Sequence, residues 1–346
     1  MSTGIKTKNY YIGKGREKED VKHLSEFLQE RGKKIGVVTT VVAGHATPAG
    51  FVAHNEYRKN YSAIFRAMVT DSKLSVMMGA GFSEEDKRVD KRKYHYVGGK
   101  EFWNQLSQNK TIFDIKDGEP NEVEDIDNDS IADVWTFIRD KKDFLALKEG
   151  KTPKRVLGVF NAIKSSQYKR DGDKHADPFV IPFRENIPTL GDMSLAAMNI
   201  MDNKKGFWLM IEGGSIDKAS HARWGGRMIE EEIEFNLAVE DVVRWIETNS
   251  SWKETILIVT ADHETGHISG EPNMKNHVIT DVKNRGKGNM PEFYFITDNH
   301  TNSLVPFFAK GFGASNFSTK ATLQDSVRGK YMDNIDIAKT LFDMFE

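Results

Sequence analysis

The sequence predicts an α/β fold with a mostly parallel central sheet and helices on both faces, and three observations carry this prediction. Apolar, β-branched runs typical of buried strands occur at 35–42, 207–211 and 255–260. Helical apolar periodicity occurs between them, most clearly over 228–247. The runs end in glycines and ligand-type side chains, which open α/β sheets place at the carboxyl ends of their strands. Helices alternating with buried strands favour a parallel, doubly wound sheet.

The elements follow one another along the chain in that pattern. Residues 17–31 have helical periodicity and lead into the first strand, after which Pro48 is well placed in the first turn of a helix that extends to Arg58. A short helix over 60–69, a strand over 74–81 and a helix from Pro188 through 200 come next. Late strands are predicted at 293–296 and 305–308, and 335–345 is predicted as the closing helix.

The long helix over 228–247 carries two more specific predictions. We expect its apolar residues Ile233 and Leu237 to face inward, together with the valines and isoleucine that follow them. Its acidic run from Glu230 to Glu234 is typical of a solvated face.

The domain organisation is simple. A chain of 346 residues has room for one large α/β domain. The pattern weakens between about 83 and 188, where charged stretches alternate with short apolar pieces. We interpret this part as an irregular insertion in a single domain that spans residues 1–346.

Composition excludes several classes of function. The formal net charge of −2 does not favour electrostatic binding of nucleic acid. The absence of cysteine removes disulfides, thiolate metal sites and thiol nucleophiles, so any zinc must be held by histidine and carboxylate. The sequence contains no apolar run long enough for a membrane span and no signal-peptide pattern.

The two strongest candidate sites follow strands. The strand at 207–211 ends in Glu212 and two glycines, and Asp217 and His221 follow. If a helix begins near 216, those last two side chains share one face and can hold one cation, although a surface hydrogen bond is the common alternative. Oxygen and imidazole ligands suit Zn²⁺. The strand at 255–260 likewise ends in Asp262 and His263.

Four motifs in order resemble the alkaline phosphatase family over nearly the whole chain. They are His45-Ala-Thr-Pro-Ala49 with Arg58, the segment from Glu212 to His221, Thr260-Ala-Asp-His-Glu-Thr265, and His300-Thr301. The resemblance implies a three-layer sandwich of the alkaline phosphatase type. It also implies an enzyme that hydrolyses small-molecule phosphate monoesters through a phosphoserine, acts as a homodimer and is periplasmic or secreted.

The resemblance assigns a role to each matching position. It implies that Asp217, His221 and His300 hold a first zinc, that Asp262 and His263 hold a second zinc, and that His45, Thr47 and Glu212 form a third, magnesium-type site. Arg58 would clamp two phosphate oxygens. Lys218 would contact phosphate through water or remain an ordinary solvated lysine. The imidazole at position 45 favours zinc or cobalt over magnesium, so another divalent ion is an alternative there.

The nucleophilic serine has no match in this sequence. In the family it follows an aspartate, precedes small residues and lies before the motif that His45 begins. Residues 1–9 resemble the stretch just after that serine, so we expect the serine upstream of Met1 and an N-terminally truncated fold. The Asp-Ser pairs at 71–72, 129–130 and 325–326 are interpreted as helix-cap or turn residues.

Two functional hypotheses therefore stay open. The first is a phosphomonoesterase whose serine lies upstream, and the second is a catalytically inactive metal-binding fragment of the same fold. A related sulfatase or phosphodiesterase is a narrower alternative, which Thr47 and Arg58 argue against.

Overall fold

The computed structural model describes residues 1–108, 125–127, 129–271 and 279–346, so that part of the predicted insertion (109–124 and 128) lies outside the described residues. The strands are β1 Lys34–Val42, β2 Leu74–Phe82, β3 Thr136–Ile138, β4 Val156–Asn161, β5 Phe207–Glu212, β6 Ile256–Thr260, β7 Glu264–Thr265, β8 Ile268–Ser269, β9 Tyr294–Phe295, β10 His300–Thr301, β11 Phe307–Gly311, β12 Leu323–Asp325 and β13 Gly329–Tyr331. The helices are α1 Leu24–Gln29, α2 Ala46–Val52, α3 Tyr61–Thr70, α4 Asp90–Lys93, α5 Lys100–Ser107, α6 Lys141–Ala146, α7 Leu190–Met201, α8 Gly214–His221, α9 Gly225–Asn249, α10 Ser315–Lys320 and α11 Ile335–Phe345.

The central sheet has the strand order β3-β4-β2-β1-β5, and every pairing in it is parallel. Successive side chains of a strand point to opposite faces, and the neighbours Val37 and Val38 of β1 accordingly belong to two different core clusters. One cluster includes Phe65 of α3, and the other includes Met193 of α7. Helices therefore cover both faces of the sheet, which confirms the predicted α/β class.

A separate antiparallel pair, β6 with β11, lies beyond β5. Phe207 of β5 and Leu257 of β6 pack on the same small cluster, whereas Trp208 and Ile258 pack on the large cluster of the opposite face. The two strands thus belong to one layer, yet β5 pairs only with β1 and β6 only with β11 among the described strands. Among the described residues, β5 and β6 therefore each have one hydrogen-bonding edge that no strand pairs with.

Helix α9 corrects the prediction of a solvated acidic face. Glu230 and Glu231 are each only 3% exposed. Glu230 Oε1 accepts hydrogen bonds from Arg170 Nη2 at 2.8 Å and from the Phe179 backbone N–H at 2.7 Å. The prediction was wrong because the segment that contains Arg170 and Phe179 packs across the helix and buries an arginine there, and a buried guanidinium needs a carboxylate partner.

The apolar side of α9 is also less buried than its periodicity indicates. Val242 and Ile246 are buried, but Ile233 is 39% and Leu237 is 53% exposed. The second helix is shorter than predicted as well, because it ends at Val52 and not at Arg58. No helix in the described ranges is long and apolar enough to cross a membrane.

Candidate metal centre

The ends of three strands meet at one cavity of about 300 Å³. Strand β1 leads directly into the segment of His45, β5 ends in Glu212 before α8, and β6 ends just before Asp262. Since β1 and β5 are parallel neighbours, their carboxyl ends lie at the same edge of the sheet. The residues from the sequence-predicted site that line this cavity are His45, Thr47, Arg58, Glu212, Asp217, Lys218, Asp262, His263 and His300.

Asp217, His221 and His300 form one close group of ligand-type atoms. His221 Nε2 and His300 Nε2 each lie 3.2 Å from Asp217 Oδ1 and 3.0 Å from each other. Ligands of a tetrahedral zinc, each about 2 Å from the metal, lie roughly 3.3 Å apart. The spacing and chemistry of these three side chains fit a zinc ion. His221, which does not line the cavity, joins the centre through this contact.

Neighbouring groups fix the orientation of these ligands. The Asp298 carbonyl lies 2.6 Å from His221 Nδ1, so an N–H at that position turns Nε2 toward the centre. Thr265 Oγ1 donates a hydrogen bond of 2.7 Å to Asp217 Oδ1. Lys218 Nζ lies 2.7 Å from Asp217 Oδ2. Although burial opposes it, the Lys218 ammonium keeps the pKa of Asp217 below its ordinary value.

Asp262 and His263 lie beside that group. Their side chains are 3.1 Å apart, from Oδ2 to Nε2, and the His263 ring stacks on His300 with centroids 3.5 Å apart. Burial by itself would raise the pKa of Asp262 and lower that of His263. The hydrogen bond between the two side chains acts in the opposite sense, and the net result is a lowered pKa for Asp262 and a raised pKa for His263. Ligand atoms of Asp217, His263 and His300 lie within 4.8 Å of one another, so the two predicted zinc groups are contiguous.

The third predicted group surrounds Glu212. Its Oε2 accepts a hydrogen bond of 2.6 Å from Thr39 Oγ1, and the Thr47 hydroxyl also bonds to this carboxylate. Burial raises the pKa of Glu212 to about 7. A bound cation would favour the ionised form.

His45 gives independent support for a metal ion in this third group. Its Nδ1 is buried and has no hydrogen-bond partner among the described residues. Burial, followed by the charges of Lys218 and Arg58, lowers the pKa of His45 to about 3. The imidazole is thus neutral at pH 7, which is the form that binds a metal.

A glycine allows α8 to begin so close to this group. A Cβ on Gly214 would lie 2.8 Å from Val41 Cγ2 and 2.9 Å from Glu212 Cδ. Any larger residue would therefore displace the strand β1 side chain or the carboxylate. The second glycine of the Glu-Gly-Gly motif is explained by this close approach.

Arg58 lines the cavity with a guanidinium that makes no hydrogen bond or ion pair to any described residue. Its backbone N–H donates to the Tyr10 carbonyl at 2.7 Å, which fixes the position of the chain. A planar cation without a protein partner is suited to binding a bidentate oxyanion.

The Asp-Ser pairs lie away from the cavity. Ser72 Oγ donates to the Met68 carbonyl just after α3, and Ser130 has a φ of 66° in a loop. Asp325 Oδ1 accepts from the Val327 and Arg328 N–H groups in a turn. None of the three serines lines the cavity.

The amino-terminal segment contributes several side chains to the cavity, and only the resemblance of residues 1–9 to the stretch after the serine pointed to this position; the residue pattern itself did not. Ser2, Thr3, Lys6, Tyr10 and Tyr11 all line the same cavity. Ser2 Oγ donates to the Gly50 carbonyl at 2.5 Å and lies 3.2 Å from His23 Nδ1. The polar, glycine-containing pattern of the first fifteen residues indicates only a loop, because irregular segments have no periodicity that reveals their packing. A further histidine near the second zinc motif, His267, is not part of the cavity lining.

The fold and the site define an α/β protein whose strand ends gather oxygen and imidazole ligands beside a free arginine. A family model described as Alkaline phosphatase matches residues 1–306. This chain belongs to the alkaline phosphatase family.

Individual relatives agree with that assignment. Alkaline phosphatase 4 of Bacillus subtilis (strain 168) is 29% identical over 294 residues, which are 82% of this chain and 52% of that protein. Alkaline phosphatase of Escherichia coli (strain K12) is 27% identical over 329 residues, which are 91% and 68% of the two chains. The chain spans about half the length of the Bacillus relatives that it matches.

Solved structures of the family share the fold. The cold-active alkaline phosphatase of a psychrophilic Shewanella sp. aligns with a TM-score of 0.66 at 22% identity and covers 100% of this chain and 83% of that chain. The enzyme from the Antarctic bacterium TAB5 aligns with a TM-score of 0.64 at 21% identity and covers 99% and 80%.

Proposed function

We propose that this protein hydrolyses phosphate monoesters at a centre of two zinc ions and a third divalent ion. The observation that carries the proposal is the three-atom cluster of Asp217, His221 and His300, with separations of 3.0–3.2 Å, in contact with a cavity that also contains the unpaired guanidinium of Arg58. Ligands for a Lewis acid and a binding group for an oxyanion are the two components that metal-assisted phosphoryl transfer needs.

The chemistry of each group supports its assignment. Asp217, His221 and His300 would hold the first zinc, Asp262 and His263 the second, and His45, Thr47 and Glu212 the third ion, which is magnesium or another divalent ion. When bound, two zinc ions stabilise the entering and leaving oxygens of an in-line displacement. The buried, unpartnered nitrogen of His45 fits a metal that accepts imidazole.

The side chains around the centre have their own tasks in this proposal. Arg58 binds two equatorial phosphate oxygens and offsets their charge throughout the reaction. Lys218, which is anchored on Asp217, adds a positive charge at the edge of the cavity and contacts phosphate through water. Thr265 and Asp298 hold the first ligand group in place, so the centre does not have to reorganise when the substrate binds.

We further propose that the nucleophilic serine lies upstream of Met1. None of the serines in the Asp-Ser pairs lines the cavity. Among the described strands, β5 and β6 each have one edge without a strand partner, and a further strand parallel to β5 at these edges would bring its carboxyl end to the metal centre. The Asp262 side chain is 53% exposed, which suits a ligand that a further segment covers.

The test is the hydrolysis of a chromogenic phosphate monoester together with the zinc content of the purified protein. We expect this chain to bind zinc without ordinary turnover, and we expect turnover after the upstream segment is joined. Arg58→Lys in that longer protein should reduce kcat/KM, whereas Arg244→Lys, at a position with an exposed side chain, should not.

Each outcome decides one part of the proposal. Rapid turnover by the present sequence would refute the upstream nucleophile. Failure to bind zinc would refute the metal centre. Zinc binding without turnover in the longer protein would refute the phosphatase activity and favour the inactive metal-binding fragment.

We also propose that the protein is a homodimer that functions in the periplasm or outside the cell, as the family resemblance implies. Light scattering of the longer protein gives its mass directly, and cell fractionation gives its compartment. A monomeric mass would contradict the homodimer, and recovery in the cytoplasmic fraction would contradict the proposed compartment.

A further inference from the structure

Tyr10 has a backbone conformation that a bulky aromatic residue rarely adopts. Its φ is +73°, in the left-handed region that favours glycine. It is the third residue of a turn closed by a 3.2 Å hydrogen bond from the Tyr11 N–H to the Lys8 carbonyl, a position where a positive φ normally selects glycine or asparagine. A strained aromatic residue at such a position points to a role for its side chain.

Three neighbouring backbone hydrogen bonds keep this turn in place. The Arg58 N–H donates to the Tyr10 carbonyl at 2.7 Å, and Ile12 exchanges two backbone bonds of 2.8 and 2.9 Å with Asn55. The turn is therefore fixed against the segment that carries the free guanidinium. Packing in the core does not explain why a tyrosine occupies this position, because the residue is 55% exposed.

The ring of Tyr10 is one half of an exposed aromatic pair. Its centroid lies 5.9 Å from that of Tyr57, which is 42% exposed and immediately precedes Arg58 in the sequence. Lys59 Nζ lies 5.9 Å from the Tyr10 centroid. Tyr10 also lines the cavity with the predicted metal ligands. Tyr10 and Arg58 thus line the same cavity, and the Tyr57 ring packs on the Tyr10 ring.

We propose that Tyr10, supported by Tyr57, selects phosphate monoesters whose alcohol carries a planar aromatic ring. This inference rests on the proposed phosphatase function and specifies its substrate class. Arg58 holds the phosphate, and the ring of the leaving group stacks on the tyrosine pair, because aromatic rings attract one another in offset or edge-on contact. Alkyl phosphates gain no comparable contact at this position.

Tyr10→Gly separates this role from folding, since glycine removes the ring and also relieves the backbone strain. Lys18→Gly is the matched control. Lys18 has a φ of +72° in the same segment but does not line the cavity. Tyr10→Phe keeps the ring and should keep the selectivity. Thermal unfolding of Tyr10→Gly should occur at the same or a higher temperature than that of the unmodified protein.

The experiment is calorimetric binding of phenylphosphonate and methylphosphonate to the zinc-loaded chain. We expect the preference for the phenyl compound to fall roughly 3- to 10-fold in Tyr10→Gly and to be unchanged in Lys18→Gly and Tyr10→Phe. A full preference in Tyr10→Gly, or equal binding of both compounds by the unmodified protein, would overturn the inference and leave the phosphatase proposal intact. If neither compound binds the zinc-loaded chain, the inference about Tyr10 fails, whereas the hydrolysis assay of the longer protein decides the phosphatase proposal separately.

Discussion

Nε2 of His221 lies 3.0 Å from Nε2 of His300, although 79 residues separate them in the sequence. His221 comes from α8, directly after β5, and His300 comes from β10. Residue His300 pairs with Thr265 in the short β10–β7 ladder, and the Thr265 hydroxyl donates to Asp217. The register of this two-residue ladder therefore determines whether the first ligand group is complete.

Removal of His300 should abolish tight zinc binding at the first site. His300→Ala leaves two of three ligand atoms, so the zinc affinity should fall by more than the roughly 10- to 100-fold that loss of an orienting partner costs. Competition with a chromogenic chelator measures this affinity. His175→Ala, at an exposed position outside the cavity, is the control and should bind as the unmodified protein does. Equal affinities in the two variants would exclude His300 as a ligand.

Loss of the Thr265 hydroxyl should have a smaller effect on the same measurement. Thr265→Val keeps the shape of the side chain but removes the hydrogen bond to Asp217, and zinc affinity should fall roughly 10- to 100-fold. Thr248→Val is the matched control, because that hydroxyl bonds only the Arg244 carbonyl within α9. An unchanged affinity in Thr265→Val would show that this threonine does not orient the ligand.

The buried pair of Arg170 and Glu230 should matter for stability. Glu230→Leu removes the carboxylate partner of the buried Arg170 guanidinium and the acceptor of the Phe179 N–H, so the free energy of unfolding should fall by about 3–5 kcal/mol. Glu240→Leu, at an exposed position of the same helix, should change it by less than about 0.5 kcal/mol. Urea denaturation monitored by circular dichroism measures both values. Similarly small losses in both variants would mean that the segment containing Arg170 and Phe179 does not depend on this carboxylate.

The buried imidazole of His23 predicts a loss of stability in acid. Burial lowers the pKa of His23 to about 4 from the ordinary value of 6.5. Between these values the unfolded chain binds a proton that the folded chain does not, so the free energy of unfolding falls as the pH drops below about 6.5. The total loss from this group is about 3 kcal/mol by pH 4.

His23→Gln should reduce that slope when unfolding is measured at pH 7, 6, 5 and 4. The neighbouring His54 acts in the opposite direction, because its hydrogen bond to Glu26 raises its pKa in spite of burial. The comparison between variants therefore isolates His23 from the total slope. His175→Gln serves as the control for loss of a histidine at an exposed position. An identical slope in His23→Gln and the unmodified protein would contradict this account.

The sequence was sufficient for features that depend on local pattern. The strands that carry the site, β1, β5 and β6, begin and end within two residues of the apolar runs that predicted them. The closing helix Ile335–Phe345 was predicted with its observed bounds. These predictions succeed because apolar periodicity, and the glycine or charged residues that end a strand or helix, depend on only a few neighbouring residues. The family assignment succeeded for a similar reason, since each motif is a short contiguous segment.

The acidic run of α9 failed because its surroundings are distant in sequence. Nothing near Glu230 shows that Arg170, sixty residues earlier, will be buried against it. The same limitation applies to Tyr10, whose position beside Arg58 depends on hydrogen bonds across 48 residues of chain.

The sequence by itself determined the α/β class, the positions of the main strands along the chain and the chemical types of the candidate ligands. Tertiary structure alone decided which ligands meet, how far apart their atoms lie, and which groups are buried or free. The physical reason is that propensity and periodicity are set by neighbouring residues. In contrast, the separation of His221 from His300, the orphaned nitrogen of His45 and the unpaired edges of β5 and β6 arise only when remote segments pack together.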